Sequence, residues 1–229
     1  MATAEEPTMS IWMRPERSSV GRPAQWSRSQ ITEVALGVAD ADGLEAVSMR
    51  RIAAKLGTGA ASLYRYVETR EDLLDLMTDA VGAEYELAEP SGNWLADLIA
   101  FGEQARAAFR RHRWLAGLAM TRPVIGPNGI GLIEHFLTLL QEHPASIGAK
   151  MEAFGMLNGI TAAFALQEQA DPRVQARNLA YLGHALTSGG HPRLAALVDP
   201  QAELPPPEEL ADRYPDLIAR VLTGLLGPA

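Results

Sequence analysis

The chain has 229 residues, of which 47% are apolar and 21% charged, and its formal net charge is −8. This length and composition predict a folded chain of one large domain or two small ones and exclude disorder as the main state. The chain has no cysteine, which excludes disulfides and thiolate zinc sites. The uncharged stretches 153–167 and 178–192 are shorter than a membrane span of about 20 apolar residues. The start of the chain is acidic, unlike a signal peptide, so we expect a cytoplasmic protein without membrane contact.

The net charge argues against a nucleic-acid partner, but it is unevenly distributed. Residues 11–72 hold nine Lys and Arg against eight Asp and Glu, whereas residues 73–229 hold eleven against eighteen. The segment 46–67 contains four basic residues and no acid. This segment is either a solvated helix face or a surface for an anionic partner.

The first predicted helix follows an irregular N-terminal stretch. Residues 1–26 contain three prolines and no hydrophobic period, which predicts a flexible arm. Ser27 and Gln30 have the spacing of a capping box. Apolar residues then recur at helical spacing until Gly43, where the helix is expected to end: Ile31, Val34, Ala35 and Val38.

Two short helices and a longer one are predicted next. Ser48 is the expected cap of a helix that ends at Gly57, and a third helix is predicted over 60–66. Thr69 then begins a long helix. Two short helices joined by a glycine-containing turn form a helix-turn-helix, whose second helix lies in the DNA major groove.

The helix-turn-helix frame assigns roles to particular side chains. The small residues at the start of the second helix allow close approach to base edges, and Arg65 can form a bidentate contact with guanine. Ser48 and the first amides of its helix can bind a phosphate. Tyr64 and Tyr66 can donate to phosphates, with packing in the core as the alternative. The candidate DNA contacts are Arg28, Ser48, Arg50, Ala60, Ala61, Ser62, Tyr64, Arg65, Tyr66 and Arg70.

The remainder of the chain is also predicted to be helical, without sustained strand-like alternation. Pro215 is expected to interrupt the last predicted helix or to begin its second half. The predicted helices cover 94–112, 127–141, 147–169, 172–187 and 207–226, with a Gly- and Pro-rich loop over 188–206.

Residues 29–85 resemble the DNA-binding domain of the TetR family of transcriptional regulators. The resemblance implies that Arg22, in Gly21-Arg22-Pro23, belongs to a basic arm that reaches DNA. It is carried by Ile31-x-x-Val34-Ala35, Asp42-Gly43-Leu44, Val47-Ser48-Met49-Arg50-Arg51-Ile52-Ala53-x-x-Leu56-Gly57, Leu63-Tyr64-x-Tyr66-Val67 and Arg70-Glu71-Asp72-Leu73-Leu74.

A weaker resemblance to the tetracycline repressor continues through Trp94, residues 109–113 and Thr121-Arg122-Pro123. It implies a second helical domain that binds a small-molecule effector and forms the dimer. That repressor holds a tetracycline-bound magnesium with a histidine three residues before its Thr-Arg-Pro. The corresponding residue here is Leu118, or Ala119 with a shifted gap, and Glu86 replaces a second histidine. We therefore expect no metal and no cofactor.

The expected fold is all-α, with an N-terminal three-helix helix-turn-helix domain and a C-terminal helical domain for ligand binding and dimerisation. The expected divisions are an arm over 1–26, the DNA-binding domain over 27–74 and the C-terminal domain over 75–229. The resemblance places the dimer interface on helices 147–169 and about 214–226, with intramolecular packing as the alternative. Both carry apolar stripes, and two glycines on the first allow close approach: Gly155 and Gly159.

An effector pocket is expected between the central helices, as in other helical bundles. The alternative for each apolar candidate is ordinary core packing, and a buried Asn158 needs either a ligand or an internal partner. The candidates combine aromatic walls with a few polar groups: Phe101, Gln104, Trp114, Met120, Arg122, Phe136, Phe154 and Asn158.

No catalytic constellation is evident from residue spacing, and the histidines lack the spacing of a helical zinc site. We therefore expect a homodimeric repressor that a small molecule releases from a pseudo-palindromic operator in double-stranded DNA. The alternatives are an activator, a ligand-independent regulator, or an α-helical enzyme whose basic segment is incidental.

Overall fold

The computed structural model describes residues 9–16, 25–187, 190–195 and 213–227. These parts of the chain form eleven α-helices and contain no β-strand, which confirms the predicted all-α fold. None of these helices is long and apolar enough to cross a lipid bilayer. The helices are α1 (Arg28–Asp42), α2 (Met49–Lys55), α3 (Ala60–Leu63), α4 (Arg70–Gly82), α5 (Trp94–Arg111), α6 (Leu115–Thr121), α7 (Pro127–Leu139), α8 (Ile147–Glu168), α9 (Pro172–Thr187), α10 (Pro192–Ala195) and α11 (Tyr214–Leu226).

The predicted capping signals are present at the first helices. Ser27 and Gln30 exchange side-chain-to-backbone hydrogen bonds at the start of α1, and Thr69 and Asp72 do the same at α4. Each capping box satisfies amide groups that a helix N-terminus leaves without partners. The chain leaves α1 through Gly43, whose φ of 83° lies in the left-handed region that favours glycine.

The third helix, α3, is shorter than the predicted 60–66. It ends at Leu63, and the backbone N–H of Tyr66 donates to the Leu63 carbonyl at 2.9 Å. This three-residue spacing tightens the last turn, as it does at many helix ends. The side chains of Leu63, Tyr66 and Val67 remain buried in the core that α1, α2 and α4 form.

The C-terminal half is built around α5, α8 and α11. Their inner faces bury one apolar core together with α7. Pro215 lies in the first turn of α11, where its missing N–H is not needed. The predicted residues 207–212 of this last helix lie outside the described residues.

Two helices were not predicted. The short α6 lies between α5 and α7 and packs on α8, so tertiary contact stabilises a seven-residue helix with no sequence cap. The four-residue α10 interrupts the predicted loop, of which 190–195 are described. The predicted C-terminal ends of α5, α7 and α8 differ from the observed ends by one or two residues.

The prediction of a flexible arm was wrong for residues 9–16. Residues Ile11–Met13 form a 3-10 helix, and Ile11 is fully buried in the core that includes the first four helices. Arg14 forms ion pairs with Glu68 and Asp72. A buried isoleucine and a paired arginine together hold this segment, although no hydrophobic period marks it in the sequence.

Candidate DNA-binding face and effector region

The second and third helices present an exposed surface that we call the basic face: Arg50, Lys55, Ala61, Tyr64 and Arg65. Ala60 and Ser62 are half-buried beside it. The buried residues Ile52, Ala53 and Leu63 fix the two helices from beneath. The exposed residues therefore combine cationic side chains and a phenol hydroxyl, which are donors that phosphates and base edges accept, with a small residue that permits close approach.

Ser48 occupies the predicted cap position and is exposed. Its Oγ accepts the backbone N–H of Arg51 at 3.3 Å, so the hydroxyl proton is not used by the cap. The neighbouring Arg51 forms an ion pair with Asp42 at the end of α1, which leaves it out of the basic face.

Tyr66, a candidate DNA contact, packs in the core instead of facing outward. The side chain is only 7% exposed and packs in the core, whereas Tyr64 is 50% exposed. The Tyr66 hydroxyl accepts the backbone N–H of Trp26 at 3.5 Å. Tyr66 and Leu63 are three residues apart on the same face as Val67, so the spacing that buries Leu63 also buries Tyr66.

Two of the predicted arginines bond to backbone carbonyls. The Arg28 guanidinium donates to the carbonyls of Ile11, Arg14, Pro15 and Tyr66 at 2.9–3.2 Å, and burial lowers its pKa. Arg70 donates to carbonyls just before α2, Leu44 and Val47. The four carbonyl contacts of Arg28 occupy four of its five N–H donors. Arg22 lies outside the described residues.

Three of the predicted effector residues meet in one aromatic cluster. The ring of Phe136 packs edge-on against Phe101 and Phe154, with centroids 5.8 Å and 5.2 Å apart. Tyr85 and His135 lie beside Phe101. Burial is the main cause that raises the pKa of Tyr85. Phe101 and Phe136 are buried, so the cluster is closed by its own rings.

The other effector candidates do not join the aromatic cluster, which corrects the prediction of one pocket. Met120 is 53% exposed, and Trp114 donates its indole N–H to Asp40 of α1 at 2.8 Å. Arg122 pairs with Asp75 of α4. Trp114 and Arg122, at the two ends of α6, thus contact α1 and α4, whereas Met120 faces solvent.

Two amides already have partners. Gln104 exchanges hydrogen bonds with the backbone of Glu86 at 2.7 Å and 3.0 Å. Asn158 is half-buried and donates to the carbonyl of Phe154, one turn earlier on α8, at 2.8 Å. The Phe154 carbonyl is therefore an internal partner for the Asn158 amide N–H.

The two halves of the chain are joined by polar contacts that the sequence did not reveal. His112 is buried between carboxylates, with Nδ1 2.8 Å from Asp40 and Nε2 3.0 Å from Glu84. Asp79 of α4 accepts backbone N–H groups from Asn128 and Gly129 and so caps α7. No signal in the sequence pairs these residues, which are 28 to 72 positions apart.

Within the C-terminal half, Glu168 binds two arginines. Desolvation acts to raise its pKa, but hydrogen bonds from Arg110 and Arg106 outweigh that effect and hold the pKa below its usual range. Arg106 also stacks on Tyr214, and desolvation raises the pKa of that phenol to about 12. This cluster fastens α5, α8 and α11 together. Across the described part of the chain, no group of three His, Asp or Glu side chains is arranged for a metal ion.

Comparison with known proteins decides the family. The family model for the tetracyclin repressor-like C-terminal domain matches residues 88–212, and the model for bacterial regulatory proteins of the tetR family matches 31–77. The HTH-type transcriptional repressor DrrR1 of Streptomyces coeruleorubidus is 34% identical over 200 residues, which cover 82% of this chain and 74% of DrrR1. The chain belongs to the TetR family.

Solved TetR-family structures have the same architecture. Apo ActR of Streptomyces coelicolor superposes with a TM-score of 0.76 at 32% identity, covering 90% of this chain and 99% of ActR. ActR in complex with actinorhodin gives a TM-score of 0.75 at 33% identity, with 89% and 98% covered. The protein is thus a TetR-family helix-turn-helix transcriptional repressor and not an enzyme.

Proposed function

We propose that this repressor acts as a homodimer on a pseudo-palindromic operator and that a small-molecule effector releases it. The observation that carries the proposal is the basic face, which stands exposed on a buried frame. We place its action in the cytoplasm, with the DNA that it regulates. We further propose the division into an arm, a DNA-binding domain over 27–74 and a C-terminal domain over 75–229, with α4 crossing the second boundary.

The proposed DNA contacts are those side chains that the structure leaves exposed. Arg65 and Tyr64 follow α3 directly, and Ala61 lies on its outer side, so these residues would enter the major groove. Arg50, Lys55 and the Ser48 hydroxyl would contact the flanking phosphates. Tyr66, Arg28 and Arg70 would act only by holding the frame.

The proposed dimer interface is the outward face of α8. Met156 and Leu166 are exposed there, and Gly155 and Gly159 would let a partner helix approach closely. The inner stripe of α11 (Tyr214, Ile218 and Leu222) is buried within its own chain, so α11 would add only its half-buried residues Leu217, Val221 and Leu225. An exposed apolar face on a helix that also packs in the core is typical of a subunit interface.

The proposed effector site is the aromatic cluster of Phe101, Phe136 and Phe154. Since its rings fill the space between α5, α7 and α8, a planar aromatic ligand would enter only by displacing them. That displacement would move α7, whose first turn is bonded to α4 through Asp79. Actinorhodin, which binds the similar ActR, is the first ligand to test.

The test of the proposed function begins with selection of bound sequences from a random DNA pool by the full chain. We expect a two-fold symmetric site whose half-sites are one helical turn apart or a multiple of it. Recovery of no enriched sequence, or of a single asymmetric half-site, would contradict the homodimeric model.

Two further measurements separate repression from its alternatives. Deleting the gene should raise expression from a reporter that carries the selected site, whereas an activator would lower it. Actinorhodin should release the wild-type protein from the selected DNA, and Phe154→Ala should weaken that release more than the exposed control Tyr181→Ala. Unchanged binding at saturating actinorhodin would exclude this ligand as the effector.

A further inference from the structure

We call residues 9–16 the strap. The strap runs along the DNA-binding half, which contains α1–α4, and reaches the effector half, which contains α5–α11. Ile11 anchors the strap in the first core, and Trp12 packs beside it. Four carbonyl groups converge on the Arg28 guanidinium, three of which belong to the strap. The carboxylate of Glu16 accepts the backbone N–H of Arg28 at 2.8 Å, at the start of α1.

One end of the strap holds the segment that follows the recognition helix. Arg14 forms an ion pair with Glu68 at 2.7 Å and a second with Asp72. Desolvation acts against the charge of Arg14, but its hydrogen bond to Asp72 and the two carboxylate charges raise its pKa overall. Asp72 also closes the capping box of α4. The strap is therefore bonded to the end of the connection between α3 and α4 and to the first turn of α4.

The other contact of the strap lies in the effector half. Trp12 packs on Gly126, the residue before α7, so closely that a methyl group there would collide with the indole ring and with Asp79. The same Asp79 caps α7 through the backbone of Gly129 at 2.9 Å. Any displacement of the start of α7 therefore meets two neighbours, the α4 carboxylate and the strap indole.

We propose that Trp12 and Arg14 are positioning residues that couple the start of α7 to the recognition helix. When the start of α7 moves, Trp12 moves with Gly126 and displaces the strap. Arg14 then transmits this displacement to Glu68 and Asp72, which follow α3 in the chain. The inference rests on the proposed function, because the coupling would change the binding of operator DNA. It adds a connection through the N-terminal strap to the direct contact between α4 and α7.

Coupling between two sites is reciprocal, so DNA bound at α3 should also stabilise the start of α7. The experiment measures amide hydrogen exchange at residues 126–131 of the full-length protein, without and with the DNA selected by the wild type. In the wild type we expect the selected DNA to slow this exchange at least about fivefold, the lower range of measured couplings. In Trp12→Ala and in Arg14→Ala we expect less than about a twofold effect, although both variants still bind the DNA.

A double variant distinguishes one connection from two independent losses. If Trp12 and Arg14 act in series, the double variant should lose no more coupling than either single variant. Trp12→Phe keeps an aromatic ring on Gly126 and should retain most of the protection. Arg14→Ala carries the test if Trp12→Ala does not fold. Met13→Ala, at a side chain 73% exposed in the same segment, is the matched control.

The outcomes divide cleanly. Protection in Trp12→Ala or in Arg14→Ala equal to that of Met13→Ala would overturn the coupling, and so would additive losses in the double variant. Losses that merely follow the melting temperatures of the variants would also overturn it, since a structural role alone would produce them. Failure of the wild type to select any DNA would instead overturn the proposed function, because coupling is scored only against wild-type protection.

Discussion

The two halves of the molecule use their arginines differently. In the C-terminal half, Arg106 and Arg110 bond to Glu168, and Arg111 and Arg122 pair with carboxylates of α4 or its end. On the basic face, neither Arg50, Lys55 nor Arg65 forms an ion pair with any described residue. For these residues, ion pairing rather than the net charge of −8 decides which cationic side chains stay unpaired at the surface.

A third use of arginine occurs behind the basic face. Arg28 and Arg70 direct their guanidinium groups at backbone carbonyls and so fasten the strap and the start of α2. An arginine in a basic segment is therefore a candidate DNA contact only where nothing inside the protein satisfies its donors. Four predictions test this distinction, in order of decreasing expected effect.

The largest effect is expected for the two tyrosines that bracket Arg65. Tyr66→Ala should lower the free energy of unfolding by about 3–5 kcal/mol, because it leaves a cavity in the core. Tyr64→Ala should leave the free energy of unfolding within about 0.5 kcal/mol, because Tyr64 is exposed, and should weaken DNA binding instead. Urea unfolding of both variants measures the difference; equal losses of stability would contradict the placement of Tyr66.

Arg65→Ala tests the recognition role of the basic face. Binding to the selected operator should weaken by about 1–3 kcal/mol, the contribution of a bidentate contact with a base, with an unchanged melting temperature. Arg177→Ala removes an exposed arginine of α9 as the matched control. Titration of labelled operator at fixed salt gives both affinities, and operator binding by Arg65→Ala as tight as by Arg177→Ala would exclude Arg65.

Glu168→Gln tests the paired arginines of the C-terminal half. At pH 7 the variant should lose about 1–3 kcal/mol of stability, because charge-assisted hydrogen bonds to Arg106 and Arg110 are lost. The pKa of Glu168 is lowered in the folded protein, so the wild-type advantage is present above the ordinary value of 4.5 and disappears as the pH falls below it.

Urea unfolding of the wild type and Glu168→Gln between pH 7 and pH 3 measures this dependence. The two free energies of unfolding should converge at the acidic end. A stability difference that stays constant across this range would mean that the charge of Glu168 does not contribute.

The smallest effect is expected for Lys55→Ala. If Lys55 contacts a phosphate, the slope of log K against log salt should become less steep by about 1, for every DNA sequence alike. Lys150→Ala is the control, since the Lys150 ammonium donates to the Leu140 carbonyl inside the C-terminal half. Salt titrations with operator and random DNA give the slopes; a sequence-selective loss would assign Lys55 to a base instead.

The local signals of the DNA-binding half could be predicted from the sequence because each depends on neighbours in the chain. The caps at Ser27, Ser48 and Thr69 and the glycine end of α1 act over three or four residues, and all are confirmed. The burial of Tyr66 could also have been predicted from its spacing to Leu63 and Val67. The ordered structure of the strap could not be predicted, because it depends on Arg28 and on carboxylates about 55 positions away.

The effector region was less predictable for a related reason. Aromatic residues in the central helices are recognisable as apolar, and three of them do meet in one cluster. Whether Trp114, Met120 and Arg122 face that cluster depends on α6, a short helix that packing on α8 stabilises. The sequence carries no cap or period strong enough to reveal such a helix.

The sequence by itself determined the family, the all-α class and the helix-turn-helix with its basic segment, because these depend on hydrophobic period, caps and charge along the chain. Only the tertiary structure decided which arginines are free to meet DNA and which fasten the frame. The physical reason is that a guanidinium group bonds to the nearest carbonyl or carboxylate oxygens, and folding brings those oxygens from distant positions in the chain.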